Sequence, residues 1–152
     1  MRIIGGKYKG RIINPGKNFI SRPTTDFGRE GLFNILENRI AWEETDALDL
    51  FSGTGSISFE LVSRGCKKVT AVELEPGNCR FIRETAGTFG MNNLVVIRDD
   101  VFRYLARSRE NFDLVFADPP YSMPGFADLA VKILGTDLLT GGGLFILEHP
   151  KA

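Results

Sequence analysis

The stretch LDLFSGTG, residues 48–55, joins a short apolar run at residues 47–51 to a helical segment, and it decides the fold class. Four more apolar runs follow at residues 69–73, 94–98, 112–117 and 144–148, each bounded by Gly, Pro, Asp or Asn. Helical patterns lie between them, near residues 57–64, 78–89, 101–108 and 126–134. Strands that alternate with helices indicate right-handed crossovers. The sequence therefore predicts an α/β fold, a Rossmann-like parallel sheet with helices on both faces.

The chain upstream of this pattern has a different character. Apolar and basic residues alternate around glycines in residues 1–13, and Gly5-Gly6 is a turn signal, so we expect a small N-terminal β-hairpin extension. Positions 32, 35, 36 and 40 are apolar and share one helical face, which predicts a helix over residues 26–38. We divide the chain into the extension, residues 1–24, and one α/β domain, residues 25–152.

The net charge of zero conceals an uneven distribution. Residues 1–22 contain six basic residues and no acidic one, which leaves a net charge of −6 on the remainder. A basic arm on an acidic body favours a polyanion partner. A solvated, charged pair of terminal strands would give the same composition, so charge alone leaves both interpretations open.

Composition also narrows the class of protein. No apolar run approaches the roughly 20 residues that a membrane span needs. The basic N-terminus has no apolar block before a small-residue cleavage site, so we expect it not to be a signal peptide. The two cysteines, Cys66 and Cys79, fit neither a metal motif nor a disulfide framework. We expect both thiols to be reduced and structural, in a monomeric cytoplasmic protein that needs no metal.

The loop after the first strand has the properties of a nucleoside cofactor site. Ligands of such sheets bind beyond the carboxyl ends of the strands, and Gly53 and Gly55 let the backbone approach a ligand closely. Glu73 ends the second strand, where it could accept hydrogen bonds from ribose hydroxyls. Asp100 follows the third strand, where it could accept one from an adenine amine.

Two cofactors fit these features, and the acidic residues discriminate between them. A nicotinamide dinucleotide favours Gly or Ala three residues after the second glycine, but this position is Ser58. S-adenosylmethionine has no phosphate and carries an ammonium and a sulfonium group, which suit the carboxylates of Asp49, Glu73, Asp100 and Asp118. Asp49 could instead only brace the loop, but together these acids favour the methyl donor.

The strongest signal is Asp118-Pro119-Pro120-Tyr121, directly after the fourth strand. The lone pair of an exocyclic base amine is delocalised into the ring, so the amine must be oriented before it can attack a methyl group. The Asp118 carboxylate and the Pro119 carbonyl could accept its two hydrogens, held in place by the stiff proline pair. Tyr121 could stack on a base flipped out of its own stack. A polar turn that merely ends a strand is the alternative.

Three stretches are similar to a known family: MRIIGGKYKGR at residues 1–11, RPTTDFGREGLFNIL at residues 22–36, and LDLFSGTG together with the later FADPPY. The chain resembles the bacterial 16S ribosomal RNA guanine 2-amino methyltransferases named for guanine 966, which have the class I methyltransferase fold. The resemblance implies that S-adenosylmethionine is the cofactor and that 16S ribosomal RNA, in an assembled or assembling small subunit, is the substrate. Members usually continue with an antiparallel strand pair, which we expect to be missing here because the sequence stops at Ala152.

The resemblance also implies roles for individual residues. Asp118 and Tyr121 would carry the chemistry, and Leu74 would pack on the adenine face. Residues 25–29, with Thr25 and Arg29 at their ends, would close over the methionine end of the cofactor. The remaining residues implied at the cofactor are Phe51, Gly53, Gly55, Glu73, Asp100 and its neighbour Val101. Phosphates of the RNA would contact Lys7, Lys9, Arg11 and Arg22.

Other functions remain open at this stage. An adenine 6-amino DNA methyltransferase would use the same four residues, although such enzymes commonly add a recognition domain that 152 residues do not accommodate. A non-catalytic RNA-binding module that kept the fold is the alternative from another class, and a nucleotide-dependent oxidoreductase is more distant.

Overall fold

A computed structural model of the protein describes residues 1–16, 26–120, 123 and 125–148. Five helices and five strands alternate along most of this part of the chain. The helices are α1 (Asp26–Glu37), α2 (Ser56–Arg64), α3 (Pro76–Phe89), α4 (Val101–Arg107) and α5 (Phe126–Leu134), and a short 3-10 helix spans Trp42–Glu44. The strands are β1 (Asp46–Leu50), β2 (Lys68–Glu73), β3 (Leu94–Arg98), β4 (Phe112–Ala117) and β5 (Leu139–Leu147).

All five strands belong to one parallel sheet in the order β3-β2-β1-β4-β5. The sequence-predicted fold class is therefore confirmed. The chain moves outward from β1 to β3 and then crosses to β4 on the other side of β1. The strand order thus reverses between β1 and β4, and in sheets of this kind ligands bind in the crevice beyond the strand ends at that point.

Side chains of the sheet alternate between two hydrophobic cores. Ala47 and Leu114 point to one face, where they join Phe33 of α1 and Phe59 of α2. Leu48, Val115 and Val101 contribute to the core of the other face, beneath α4 and α5. Burial on both faces explains why the central strands are continuous apolar runs rather than alternating ones.

The sequence predicted most element boundaries to within two residues, but the start of β5 was wrong. The strand begins at Leu139 and not at Leu144, because it also includes residues 140–143, whose three glycines interrupt the apolar run. Leu139 pairs with Phe112, whereas Leu144 pairs with Leu114, so the intervening residues form an irregularity against β4. Gly142 has φ +82°, which accommodates that irregularity.

The N-terminal extension forms a small loop closed by one antiparallel bridge between Arg2 and Ile12. The predicted hairpin is thus reduced to its closing bridge and the adjoining backbone hydrogen bonds. Ile3, Tyr8 and Ile13 are buried in the same core as α1 and α2. The loop lies against the end of α2, where a Cβ added to Gly6 would meet the carbonyl oxygen of Ser63 at 1.9 Å. The division at residue 24 falls outside the described residues and stays a prediction.

None of the described helices is long and apolar enough to cross a membrane. Cys66 and Cys79 are both buried and form no disulfide. Trp42 is buried as well and stacks on Phe33, with ring centroids 6.0 Å apart.

Candidate functional site

The loop between β1 and α2 turns sharply at the carboxyl edge of the sheet. Phe51, Gly53 and Gly55 all have positive φ, at 59°, 58° and 88°. Phe51 is the only described non-glycine residue with a positive φ, and such conformations concentrate at ligand-binding turns. A Cβ at Gly55 would lie 2.9 Å from Cγ1 of Ile82. Ile82 belongs to α3, so glycine at this position lets the start of α2 pack closely against α3.

Glu73, the last residue of β2, connects this loop to α3. Its Oε1 accepts a hydrogen bond from the Gly53 backbone N–H at 2.8 Å. Its Oε2 accepts from the Glu75 backbone N–H at 3.0 Å and from Asn78 Nδ2 at 3.3 Å. A carboxylate offers about four acceptor positions, so the side chain is fixed and keeps acceptor capacity for a ligand hydroxyl.

Asp49 lies beneath the same loop and is completely buried. Its Oδ2 accepts a hydrogen bond from the Ser58 hydroxyl at 2.6 Å, and its backbone carbonyl accepts one from the Ser52 hydroxyl at 2.7 Å. The pKa of Asp49 is raised to about 7, chiefly by burial and to a lesser extent by the charges of Glu73 and Asp118, against the lowering effect of the two serines. Negative charge thus accumulates at this edge, where a cationic ligand would relieve the repulsion.

The residues after β2 and β3 form the far side of the crevice. Leu74 is 61% exposed, unusually so for a large apolar side chain at a strand end. Asp100 is the N-cap of α4 and accepts a hydrogen bond from the Arg103 N–H at 3.0 Å. Val101, the first residue of α4, is buried in the second core. The structure therefore places these three predicted cofactor residues at neighbouring strand ends.

Asp118 and Pro119 follow β4 at the strand-order reversal. Asp118 is half-buried and Pro119 is buried. The charge of Asp118 raises the pKa of both Asp49, on β1, and Glu148, which follows β5. The structure thus brings Asp118 to the same edge as Gly53 and Glu73. Tyr121 lies outside the described residues, so its position stays a prediction.

Arg29 is placed in an ionic cluster on the outer side of α2. It is 1% exposed, with Nη2 2.9 Å from Asp26 Oδ1 and Nε 3.4 Å from Glu60 Oε1. The same guanidinium donates a hydrogen bond to the backbone carbonyl of Arg2. Its contacts are therefore with the extension, α2 and the first residue of its own helix, and its predicted role at the cofactor stays a prediction. Thr25 lies outside the described residues.

The basic side chains of the extension project near the end of α3. The Arg11 guanidinium carbon lies 5.1 Å from the ring centroid of Phe89, and Lys7 Nζ lies 5.4 Å from that of Tyr8. Lys7, Lys9 and Arg11 are exposed. Phe89 ends a 14-residue helix that begins beside Glu73, so this surface lies about 20 Å from the crevice. Arg22 falls outside the described residues.

Sequence reasoning gave no role to three residues that shape the site. Ser58 donates a hydrogen bond to Asp49, but in the sequence it served only as evidence against a nicotinamide dinucleotide. Glu60 is fully buried and binds the extension through both carboxylate oxygens. Glu148 follows β5 directly, and the charge of Asp118 contributes to raising its pKa. Only Glu148 had a sequence signal, since it repeats the pattern of an acid at a strand end.

Among the described residues, no group of three or more His, Cys, Asp or Glu side chains could hold a metal ion. The chemistry that this part of the chain offers is therefore that of carboxylates, backbone carbonyls and glycine-rich backbone, arranged around a crevice of negative charge.

Comparisons with known proteins agree with this geometry. The family model described as conserved hypothetical protein 95 matches residues 1–152. Ribosomal RNA small subunit methyltransferase D of Buchnera aphidicola (subsp. Baizongia pistaciae) is 31% identical over 98% of the chain and 76% of the relative. The protein with the same description from Haemophilus influenzae is 33% identical over 88% of the chain and 70% of the relative. The solved structure of yhhF from Escherichia coli superposes with a TM-score of 0.89 at 27% identity, over 100% of this chain and 82% of that one.

Proposed function

The chain belongs to the family described as conserved hypothetical protein 95, and we propose that it is an S-adenosylmethionine-dependent methyltransferase of small-subunit ribosomal RNA. We further propose that its target is the exocyclic 2-amino group of a guanine in 16S ribosomal RNA. The support for the reaction class comes from the relatives named above. The support for the target comes from the turn after β4.

One observation carries the proposal: Asp118 and Pro119 lie at the same carboxyl edge of the sheet as the Gly53–Glu73 hydrogen bond. A reaction between a base amine and a methyl donor needs both groups in one place, with acceptors on the amine hydrogens. The Asp118 carboxylate and the Pro119 carbonyl are such acceptors, and β4 places them at the strand-order reversal. Proximity and orientation of this kind supply much of the rate of a bimolecular reaction.

The crevice fits S-adenosylmethionine because of its charge. Like charges from Glu73 and Asp118 raise the pKa of Asp49 in addition to burial, and an ammonium and a sulfonium group would relieve this repulsion. Phe51, Gly53 and Gly55 would line the methionine half, with Thr25 and Arg29 closing over it.

The adenosine half would lie toward β2 and β3. Glu73 would accept from the ribose hydroxyls, and the exposed Leu74 would pack on the adenine face. Asp100 would accept from the adenine amine and Val101 would support the ring. When bound, the cofactor supplies a methyl group on sulfur, to which the amine nitrogen bonds as the carbon–sulfur bond breaks.

The protein's own groups orient the amine and remove its proton. Asp118 and Pro119 hold the two amine hydrogens, so the nitrogen lone pair is directed away from the ring, toward the methyl donor. The Asp118 carboxylate then accepts the proton that the product nitrogen loses. Tyr121 would stack on the flipped base, and stacking of this kind contributes about 1–3 kcal/mol to binding of the base. Fixed acceptors cost no reorganisation at the moment of reaction.

The substrate must reach well beyond the target base. Lys7, Lys9 and Arg11 lie at the far end of α3, about one helix length of 20 Å from the crevice, and Arg22 belongs to the same arm. Phosphates that contact this surface belong to nucleotides remote from the target. A folded RNA in an assembled or assembling subunit, bound by one copy of the protein, meets this requirement better than a short single strand.

Radiolabelled methyl transfer to three substrates tests the proposal: undermethylated small subunits, naked 16S RNA, and double-stranded DNA. We expect transfer to the subunits to be the most efficient. Transfer to DNA but not to RNA would instead identify a DNA amine methyltransferase. Binding of subunits without transfer to any substrate would identify a non-catalytic RNA-binding module.

A further inference from the structure

Glu148 lies directly beside Asp118 at the carboxyl edge of the sheet. Leu147 of β5 is paired with Ala117 of β4, and the Glu148 N–H donates to the Ala117 carbonyl at 2.9 Å. The ladder therefore continues one residue past the strand and brings Glu148 next to Asp118. Strands lie about 4.8 Å apart, and residues opposite each other point to the same face.

The two carboxylates are close enough to influence each other. The pKa of Glu148 is raised by partial burial and by the charge of Asp118. Two partly buried acceptors side by side favour a ligand that presents two adjacent hydrogen-bond donors. Pro119 supplies a third acceptor, the backbone carbonyl, immediately after Asp118.

Guanine presents such an edge. Its ring N1–H stands next to its 2-amino group, so one amino N–H points in roughly the same direction as N1–H and the other points toward the N3 side. Adenine differs, because its 6-amino group stands next to a bare N1 lone pair that a carboxylate would repel. Enzymes that flip a base read it by hydrogen bonds to this Watson–Crick edge. A second carboxylate beside Asp118 therefore matches guanine and opposes adenine.

We propose that Glu148 determines the choice of base: its carboxylate accepts the N1–H of the target guanine while Asp118 and Pro119 hold the 2-amino group. This inference rests on the proposed function and adds to it the residue that selects guanine. Glu148 has no part in holding the amine that reacts, so it is a specificity-determining residue.

2-Aminopurine provides the test, because it keeps the 2-amino group but has a bare N1. Small subunits are reconstituted with 16S RNA in which a ligated synthetic segment carries guanine or 2-aminopurine at the mapped target. We expect wild-type kcat/KM to favour guanine by about 10- to 100-fold, the value of one well-placed pair of base contacts. Glu148→Gln should narrow this ratio at least several-fold, because the glutamine amide can donate to the bare N1.

Glu110→Gln is the matched control, since Glu110 is exposed before β4 at the opposite edge of the sheet. It should leave the ratio unchanged. A wild-type ratio near one would overturn the inference without any variant, and so would a Glu148→Gln variant that folds and keeps the wild-type ratio. Absence of transfer to the guanine substrate by the wild-type protein would instead refute the proposed function, so the two failures are distinguishable.

Discussion

Glu60 binds two backbone N–H groups of the extension from within the α/β domain, and its replacement should weaken this attachment. The side chain is fully buried in the middle of α2. Its Oε1 accepts from the Ile4 N–H at 2.8 Å and its Oε2 from the Gly5 N–H at 2.9 Å. Arg64 Nε lies 2.9 Å from Oε2 and Arg29 Nε lies 3.4 Å from Oε1. One carboxylate therefore accepts hydrogen bonds from two backbone N–H groups and from Arg64, and it forms an ion pair with Arg29.

Glu60→Gln keeps the shape of the side chain but replaces one acceptor oxygen of the carboxylate by a donor NH₂ group. The new amide NH₂ faces either a backbone N–H or a guanidinium, so at least one buried donor loses its partner. Arg29 and Arg64 each lose one of two carboxylate partners and keep the other, Asp26 and Glu37 respectively. Breaking a buried ion pair by changing one partner costs about 3–5 kcal/mol. A domain of this size loses about 2–4 °C in Tm per kcal/mol, so we expect a decrease of about 10 °C.

Urea denaturation of the variant, followed by circular dichroism, measures the change in the free energy of unfolding directly. Glu110→Gln makes the same chemical substitution at an exposed position 3.9 Å from Lys68, where ion pairs contribute less than about 1 kcal/mol. The control should therefore unfold like the wild-type protein. A loss below about 1 kcal/mol for Glu60→Gln would show that the buried cluster does not hold the extension in place.

Three further predictions concern the crevice and the arm. Because the pKa of Asp49 is raised to about 7, the folded state binds more protons than the unfolded one between about pH 4 and 7, so the free energy of unfolding falls as pH rises. Asp49→Asn should lack this fall, which amounts to up to about 4 kcal/mol. Parallel pH profiles of stability for the variant and the wild-type protein would contradict this prediction. Asp118→Ala should abolish turnover while calorimetry finds cofactor affinity within a few-fold; lost binding would instead place Asp118 in the cofactor pocket. Neutralising Lys7, Lys9 and Arg11 should reduce the salt slope of subunit binding by about 2, and an unchanged slope would remove the arm from the interface.

The alternation of strands and helices was predictable because each element carries its own periodicity. The ends of the first four strands, and with them Glu73, Asp100 and Asp118, followed from short apolar runs that stop at polar residues. Parallel strands bring their carboxyl ends to one edge, so these residues could be grouped without coordinates. The start of β5 could not be found in this way, since the strand tolerates Gly141 to Gly143 only through its pairing with β4.

The contacts of the extension were not predictable from local sequence. Glu60 binds residues 55 and 56 positions away, and a glutamate within a helix normally indicates an exposed face. Arg29 was assigned to the cofactor by resemblance, whereas its described partners belong to the extension, α2 and the start of α1. The same holds for Arg11, whose position over Phe89 depends on how the loop docks and not on its own sequence.

The identity of the methylated nucleoside tests the central claim most directly. Small subunits labelled by the protein are digested to nucleosides, which are separated and identified by mass spectrometry. The arrangement of Asp118, Pro119 and Glu148 predicts 2-methylguanosine as the labelled product. Recovery of 6-methyladenosine, or of a label on the ribose, would contradict the account.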